Sequence, residues 1–347
     1  MRNGKKNIHD LDFEQLKQQL ESWSEPDYRV VQIWEGLYQQ LWSTPECFTN
    51  IPLSLREKLA VSFAFGTLTP EKTLESDDRN TSKTLYRLDD DHAIETVIMH
   101  YKDRVTACVS SQVGCGMGCS FCATGTMGFK RNLSQGEIIE QVIKSDMILR
   151  NNGRKLSNVV FMGMGEPLHN LSNVMGAIHL LNDSRGYGMG ARRFTISTVG
   201  LVPGIQLLIK ENSQVNLAIS LHAADDHLRD TLIPINQKYP ISELMRVCDK
   251  YLSKTRRRIT IEWALIDGIN DSDEQARKLV DLIGGKLFHV NLIQLNPVKH
   301  YSGSPATDQR TKDFQQVLTQ AGISTTIRLR RGIDISAGCG QLASKSP

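Results

Sequence analysis

The sequence predicts an α/β fold, a parallel barrel (complete or open) of six βα units behind a small helical domain. Three observations predict it. From residue 104 onward, short β-branched runs alternate with stretches of helical period. Residues 1–75 show the helical period alone. The strand-like runs after 104 also tend to end in polar or glycine-rich residues, where barrels carry their chemistry.

In the helical domain, Phe13, Leu16 and Leu20 share one face. A second helix starts after Pro26, with Val30, Ile33, Trp34, Leu37, Tyr38 and Leu41 spaced by three and four, and a third follows Pro52 with Leu55, Leu59 and Phe63. Residues 76–82 read as a polar linker. Residues 83–88 and 94–99 read as two strands around the turn Asp89-Asp90-Asp91-His92, so that 76–103 bridges the helical domain and the barrel of 104–347. The first barrel strand is 104–109. The helix at 134–149 opens on a capping box, Ser134 with Glu137. Strands at 158–162, 193–197, 215–220, 258–265 and 288–295 then alternate with helices at 171–182, 203–210, 240–252, 273–283 and 311–321, and 324–330 is a last extended segment. Irregular stretches at 184–192, 223–239 and 296–310 are candidate substrate loops.

Nothing resembles a secretory segment, no apolar run is long enough to cross a membrane, and the polar start Met-Arg-Asn-Gly-Lys-Lys is expected to fray. A cytoplasmic protein, monomeric and without a membrane partner, is the expectation. The net charge of +3 does not announce nucleic acid, but Arg192-Arg193, Lys254 with Arg256 to Arg258, and Arg328 with Arg330 and Arg331 are local basic clusters. Each alone reads as a solvated face. Together they mean more only if they share one face.

The chemistry concentrates in residues 108–122, which hold four of the seven cysteines. Cys115, Cys119 and Cys122 follow the first barrel strand with three and then two residues between them. Thiolate is the standard ligand of an iron–sulfur cluster. A closed zinc site is the competing reading and needs a fourth ligand, which this loop lacks at matching spacing. The next strand runs into Gly163-Met164-Gly165-Glu166-Pro167, where glycines admit a ligand to the backbone and Glu166 can accept from an ammonium group. Later strands end in Ser197-Thr198, Ser220-Leu221-His222 and Asn296-Pro297. Cys339 lies between two glycines near the C-terminus, a flexible setting that suits an accessible, reactive thiol. Cys47 and Cys248 read as small core hydrophobes.

On these residues the chain resembles the RlmN/Cfr family of radical S-adenosylmethionine (SAM) RNA methyltransferases. The resemblance runs over nearly the whole length. It includes residues 25–29 and 32–34, Cys108 to Cys122, Gly163 to Leu168, Ala218 to His222, Pro234 to Asn236, Gly268 to Asp271 and Cys339 to Leu342. It implies a partial parallel (β/α)6 radical SAM barrel whose N-terminal domain contacts RNA. Cys115, Cys119 and Cys122 would hold a [4Fe–4S] cluster whose fourth iron chelates SAM. Gly165, Glu166, Ser197, Ser220, Leu221, His222 and Asn296 match the family's SAM contacts. The implied reaction uses two SAM molecules. One methylates Cys339, and the other yields a 5′-deoxyadenosyl radical that activates that methyl group for addition to an adenine ring carbon. Cys108 then resolves the protein–RNA crosslink by forming a disulfide with Cys339, and Glu95 falls at the family's proton acceptor. The implied partners are 23S rRNA, in some members tRNA, and an electron donor such as flavodoxin or ferredoxin. Gly165 to Leu168 and Glu262 to Leu265 look closer to the carbon-2 branch than to the carbon-8, antibiotic-resistance branch. Residues 329–332 and 337–338 match neither pattern. A non-catalytic RNA-binding protein with structural zinc is the reading from a different class.

Overall fold

The computed structural model describes residues 4–343. Its centre is a ten-stranded sheet. Seven parallel strands follow one another in chain order across it: Val105–Cys108, Asn158–Phe161, Phe194–Thr198, Asn216–Ser220, Ile259–Leu265, Phe288–Gln294 and Ser324–Ile327. Strands such as Asn216–Ser220 carry an unbroken apolar middle because both faces are covered, and the intervening helices supply the outer cover. The sheet ends on Ser324–Ile327 and does not close, so the barrel is open. The capping box is present: Ser134 Oγ accepts from Glu137 N, and Glu137 in turn accepts from Ser134 N.

Several expectations need correction. The helical domain does not extend to residue 75. Thr69–Glu75 is a strand, paired antiparallel with Thr81–Arg87, which pairs with Ala93–His100 and through it with the barrel. It is polar and almost wholly exposed, with a register shift at Pro70, as suits a blunted sheet edge. Residues 76–80, taken for a linker, form the tight turn of that hairpin. The cluster segment is not all loop: Gln112–Cys115 pairs with Gly128–Asn132, and a Cβ on Gly114 would collide with the Gly128 carbonyl oxygen. Within the candidate loop 223–239, Asp226–Leu232 is a helix capped by Asp225. The start is not frayed at Lys6–Asn7, which pairs with Phe63–Ala64; residues 1–3 lie outside the described residues. Leu41 falls past the end of the second helix, and Cys47 is exposed in a short 3-10 turn rather than packed in the core.

The N-terminal helices Phe13–Ser22, Tyr28–Tyr38 and Leu53–Ser62 share one hydrophobic core with the barrel. A buried carboxylate joins them to it. Glu140, on helix Gln135–Asn151, accepts from Thr67 N at 2.8 Å, Leu68 N at 3.0 Å, Thr67 Oγ1 at 3.0 Å and Asn7 Nδ2 at 2.6 Å. Four donors on one carboxylate satisfy a charge that would otherwise be costly to bury.

Candidate active site

The C-terminal ends of the strands converge on a cavity lined by Cys119, Cys122, Gly163, Gly165, Glu166, Ser197, Ser220, His222, Asn296 and Cys339. Strand geometry explains the convergence, since parallel strands end on one rim and the turn after each holds its last side chain there. Gly163 is forced: a Cβ would lie 2.7 Å from the Val109 carbonyl oxygen.

Glu166 is buried, and its carboxylate accepts from Leu168 N at 2.9 Å and Val199 N at 3.0 Å. Burial outweighs those bonds and pushes its pKa up to about 7. His222 has a left-handed backbone, with φ of 59°, and its Nδ1 accepts from Ala264 N at 2.8 Å. Burial, helped by the charge of Arg229, lowers its pKa to about 3, so the ring is neutral. Ser197 Oγ and Ser220 Oγ lie 3.4 Å apart. Asn296 Nδ2 donates to the Cys339 carbonyl at 3.1 Å, while its Oδ1 is buried without a hydrogen-bond partner. Leu221 does not line the cavity; its side chain is buried beneath, and its backbone N–H donates to the Glu262 carbonyl.

Cys339 is not on a loose tail. Gly340 O accepts from Ala123 N at 2.7 Å, Leu342 O accepts from Thr124 Oγ1 at 2.6 Å, and Gln341 Nε2 donates to Pro297 O at 2.8 Å. The Gly-flanked cysteine is exposed, but into the cavities: it lines the one above and a second, smaller one with Cys108, Met162, Tyr101 and Arg328. All seven cysteines are free thiols. Burial raises the Cys108 pKa to about 12, and the nearby Cys339 sulfur adds to the shift. Glu95 lines neither cavity. It pairs with Lys83 at 2.9 Å and accepts from Ala343 N at 2.9 Å; burial raises its pKa, opposed by Lys83.

Three partnerships escaped the sequence reading. Arg229 is fully buried and donates to Val199 O at 2.6 Å, Asn236 Oδ1 at 2.7 Å, Leu221 O at 3.1 Å and Ser220 O at 3.3 Å, tying two strand ends and their turns together. Glu262, itself part of the cavity lining, pairs with Arg328 at 3.3 Å. Lys83 neutralises Glu95 and donates to Ser336 O at 2.9 Å. No local signal marks them, although the Asp226–Leu232 helix cap would have placed Arg229 on a helix face.

A third cavity, of about 790 Å³, opens toward the other end of the strands. Thr106, Asn158, Thr195, Asn216 and Thr260, all near the starts of their strands, line it together with Arg104, Arg256, Arg257, Arg258 and Arg328. Two of the basic clusters therefore share one chamber.

Comparison with known proteins bears on this geometry. Residues 109–280 match the radical SAM superfamily, and residues 6–64 match the N-terminal domain of ribosomal RNA large subunit methyltransferases. A probable dual-specificity RNA methyltransferase RlmN of Chloroflexus aurantiacus is 46% identical, covering 97% of this chain and 93% of its own. This chain belongs to the RlmN family of radical SAM RNA methyltransferases. The dual-specificity RNA methyltransferase RlmN 1 of Myxococcus xanthus is 45% identical over 97% of the chain and 94% of its own. The crystal structure of a radical SAM methyltransferase from Sphaerobacter thermophilus superposes with a TM-score of 0.96 at 46% identity, covering 98% of this chain and all 100% of that one.

RlmN-type enzymes use a [4Fe–4S] cluster and SAM, and the residues present fit both. Cys115, Cys119 and Cys122 are free thiols, and burial raises the pKa values of Cys115 and Cys119, with the neighbouring Cys122 sulfur adding to both shifts. The unpartnered Asn296 Oδ1 and the buried Glu166 carboxylate offer acceptors that a polar ligand would satisfy. No helix among the described residues is long and apolar enough to cross a membrane.

Proposed function

We propose that this enzyme methylates carbon 2 of an adenine in 23S rRNA, and also an adenine in tRNA, with Cys339 as the methyl carrier. The observation that carries the reading is the position of Cys339. It lines the strand-end cavity together with Cys119, Cys122, Glu166 and Asn296, and a second cavity together with Cys108, 231 residues earlier in the chain (339 − 108). One thiol thus borders both the cavity proposed to hold SAM and a second thiol. The names of the relatives, dual-specificity RNA methyltransferases, support two classes of RNA.

The amidine carbon of adenine is not nucleophilic, so displacement on SAM cannot methylate it. Cys339 is nucleophilic and can take the methyl group first. Cys115, Cys119 and Cys122 would hold the cluster, which, reduced by a flavodoxin- or ferredoxin-class donor, would supply with SAM the radical chemistry that activates that methyl group. Glu166 and Asn296 would hold the amino-acid part of SAM, with Ser197, Ser220 and His222 lining the rest of that cavity. Once the methylene carbon is joined to adenine, it stays bonded to the Cys339 sulfur until a thiolate displaces it. Attack of the Cys108 thiolate on the Cys339 sulfur would break the sulfur–carbon bond, the bonding pair leaving with the methylene carbon, which takes up a proton to become the methyl group; a Cys108–Cys339 disulfide remains, and a dithiol reductant must reopen it before the next turnover. Glu95, which matches the family's proton acceptor, lies behind the cavities, bonded to Lys83 and Ala343 N, and would take the ring-carbon proton once the tail segment shifts to admit the base. Its raised pKa makes it a stronger base than an ordinary carboxylate.

Mass spectrometry of nucleosides from 23S rRNA and tRNA treated with the protein tests the reading. Methylated adenine at carbon 2 is expected in both, lost in Cys339→Ala. Cys108→Ala should leave RNA covalently attached to the protein. Product at carbon 8, or free unmodified RNA from Cys108→Ala, contradicts it.

A further inference from the structure

One buried ion pair has no part in the barrel's own bonding. Lys83 lies on the strand Thr81–Arg87, outside the parallel strands, and its Nζ meets Glu95 Oε1 at 2.9 Å. Both side chains are buried. A buried pair is a poor source of stability, because desolvation offsets most of the attraction. What distinguishes this pair is where its remaining bonding capacity goes. Lys83 Nζ also donates to Ser336 O at 2.9 Å, and Glu95 Oε2 accepts from Ala343 N at 2.9 Å. Ser336 precedes Cys339 by three residues, and Ala343 follows it by four. The two partners therefore clasp the Cys339 segment on both sides of its sulfur.

The surrounding strands form a platform for that clasp. Their register places Lys83 and Cys108 on either side of Val97, in one row across the sheet, and Glu95 shares that face two residues before Val97. The turn ahead of Cys339 packs on the same hairpin: a Cβ on Gly332 would lie 2.8 Å from Thr81 Cγ2, and Asp334 accepts from Asp77 N at 2.8 Å. Ser336 has a left-handed backbone, with φ of 52°, a conformation a non-glycine residue keeps only when its surroundings hold it. Lys83 contributes that hold through the Ser336 carbonyl. The charged and titratable groups on the Glu95 face are Lys83 and Cys108 across the sheet, with Cys339 and Arg328 beyond Cys108 on the wall of the small cavity. Helix Gln135–Asn151 packs on the opposite face, where Gln141 bonds Thr96.

We propose that Lys83 is a positioning residue for methyl transfer: it fixes the Glu95 carboxylate and the Cys339 segment to one another, so that proton acceptor and methyl carrier reach the same ring carbon. The proposal rests on the reading that Glu95 takes the ring-carbon proton. Both carboxylate oxygens are engaged while the tail is seated. When Ala343 moves aside for the adenine, Oε2 is freed, and Lys83 stays on Oε1 and keeps the carboxylate aimed. Burial raises the Glu95 pKa, and Lys83 opposes the rise. A neutral residue at position 83 removes that opposition and pushes the carboxyl further up, so less of it is an ionised acceptor at neutral pH.

Methylation rates of reconstituted enzyme on transcribed 23S rRNA, measured across neutral and alkaline pH, test this in Lys83→Met, Lys83→Arg and Glu95→Gln. Lys83→Met should lose about tenfold or more at neutral pH, with the acid limb of its profile moved to higher pH, so that the loss shrinks as pH rises. Lys83→Arg keeps the charge and should restore the wild-type limb. In the full-length protein without SAM, amide exchange of residues 336–343 should quicken about tenfold or more in Lys83→Met, with strand Ile259–Leu265 unchanged. Lys83→Gln keeps a donor for Ser336 O without the charge, and carries the same pH test if the methionine variant does not fold. A loss equal at every pH, or tail exchange unchanged from wild type, overturns the positioning role. Glu95→Gln that methylates RNA as the wild type does refutes the reading of Glu95 instead. Lys83→Met that matches wild type while Glu95→Gln is inactive refutes the role of Lys83 alone.

Discussion

Replacing Arg229 with methionine should loosen the SAM cavity from below. The side chain is fully buried and touches no solvent, so its worth lies in the acceptors it satisfies. Of its four acceptors, the Leu221 carbonyl keeps a second donor, Ala223 N at 2.8 Å. The Val199 carbonyl and Asn236 Oδ1 have the shortest bonds, 2.6 and 2.7 Å, and have no other donor among the described hydrogen bonds. Leaving two buried acceptors unsatisfied costs about 1–3 kcal/mol each. Removing a buried guanidinium, whose pKa burial already lowers to about 10, returns part of that cost. The net expectation is a loss of about 2–4 kcal/mol in denaturant unfolding, seen as a lower midpoint with an unchanged slope. Val199 N also donates to Glu166, so the loss should reach the ligand: calorimetric SAM affinity of the anaerobically reconstituted variant should fall at least tenfold. Arg229→Lys retains the charge but not the fork of donors, and should recover little of either. A methionine variant within about 1 kcal/mol of wild type, or one that binds SAM normally, would refute the reasoning.

The ionisation of Glu166 predicts a pH dependence. Its folded pKa, about 7, stands above the ordinary carboxylate value of 4.5, so the protonated form is favoured by folding. The associated stability is complete below about pH 4.5 and is lost as pH rises through about 7, a total of roughly 3 kcal/mol for the ligand-free protein. Urea midpoints measured from pH 5 to 8 should fall more steeply for wild type than for Glu166→Gln, and parallel curves would contradict this. Glu140→Ala removes the acceptor for four donors from the N-terminal segment and should cost about 3–5 kcal/mol. Limited proteolysis should then release residues before 68 ahead of the barrel, and uniform resistance would count against the clamp.

The barrel was legible because its signals are local. Each parallel strand is an apolar run ended by a polar residue, and each helix shows its period and often its cap. The Thr69–Glu75 strand was not, since an exposed edge strand has no buried face to pattern it. The Gln112–Cys115 hairpin was hidden by the cysteines within it, whose spacing dominated the reading. In the site, Glu166, Ser197, His222 and Asn296 stood out because strand ends can be counted. Arg229, Glu262 and Lys83 act through partners 30, 66 and 253 residues away, as in the Arg229–Val199, Arg328–Glu262 and Lys83–Ser336 bonds, and no window of sequence shows such a pairing.

The bonds that dock the tail are among those of longest chain separation in the molecule, 248 residues for Ala343 with Glu95 and 218 for Thr124 with Leu342. Contacts that close such long loops form late in folding, after the local βα units. They are also few and lie at one edge of the core, so their opening need not involve the rest of the sheet. Heating or mild denaturant should therefore release Cys339 while the barrel is still folded, and activity will disappear before circular dichroism reports any unfolding.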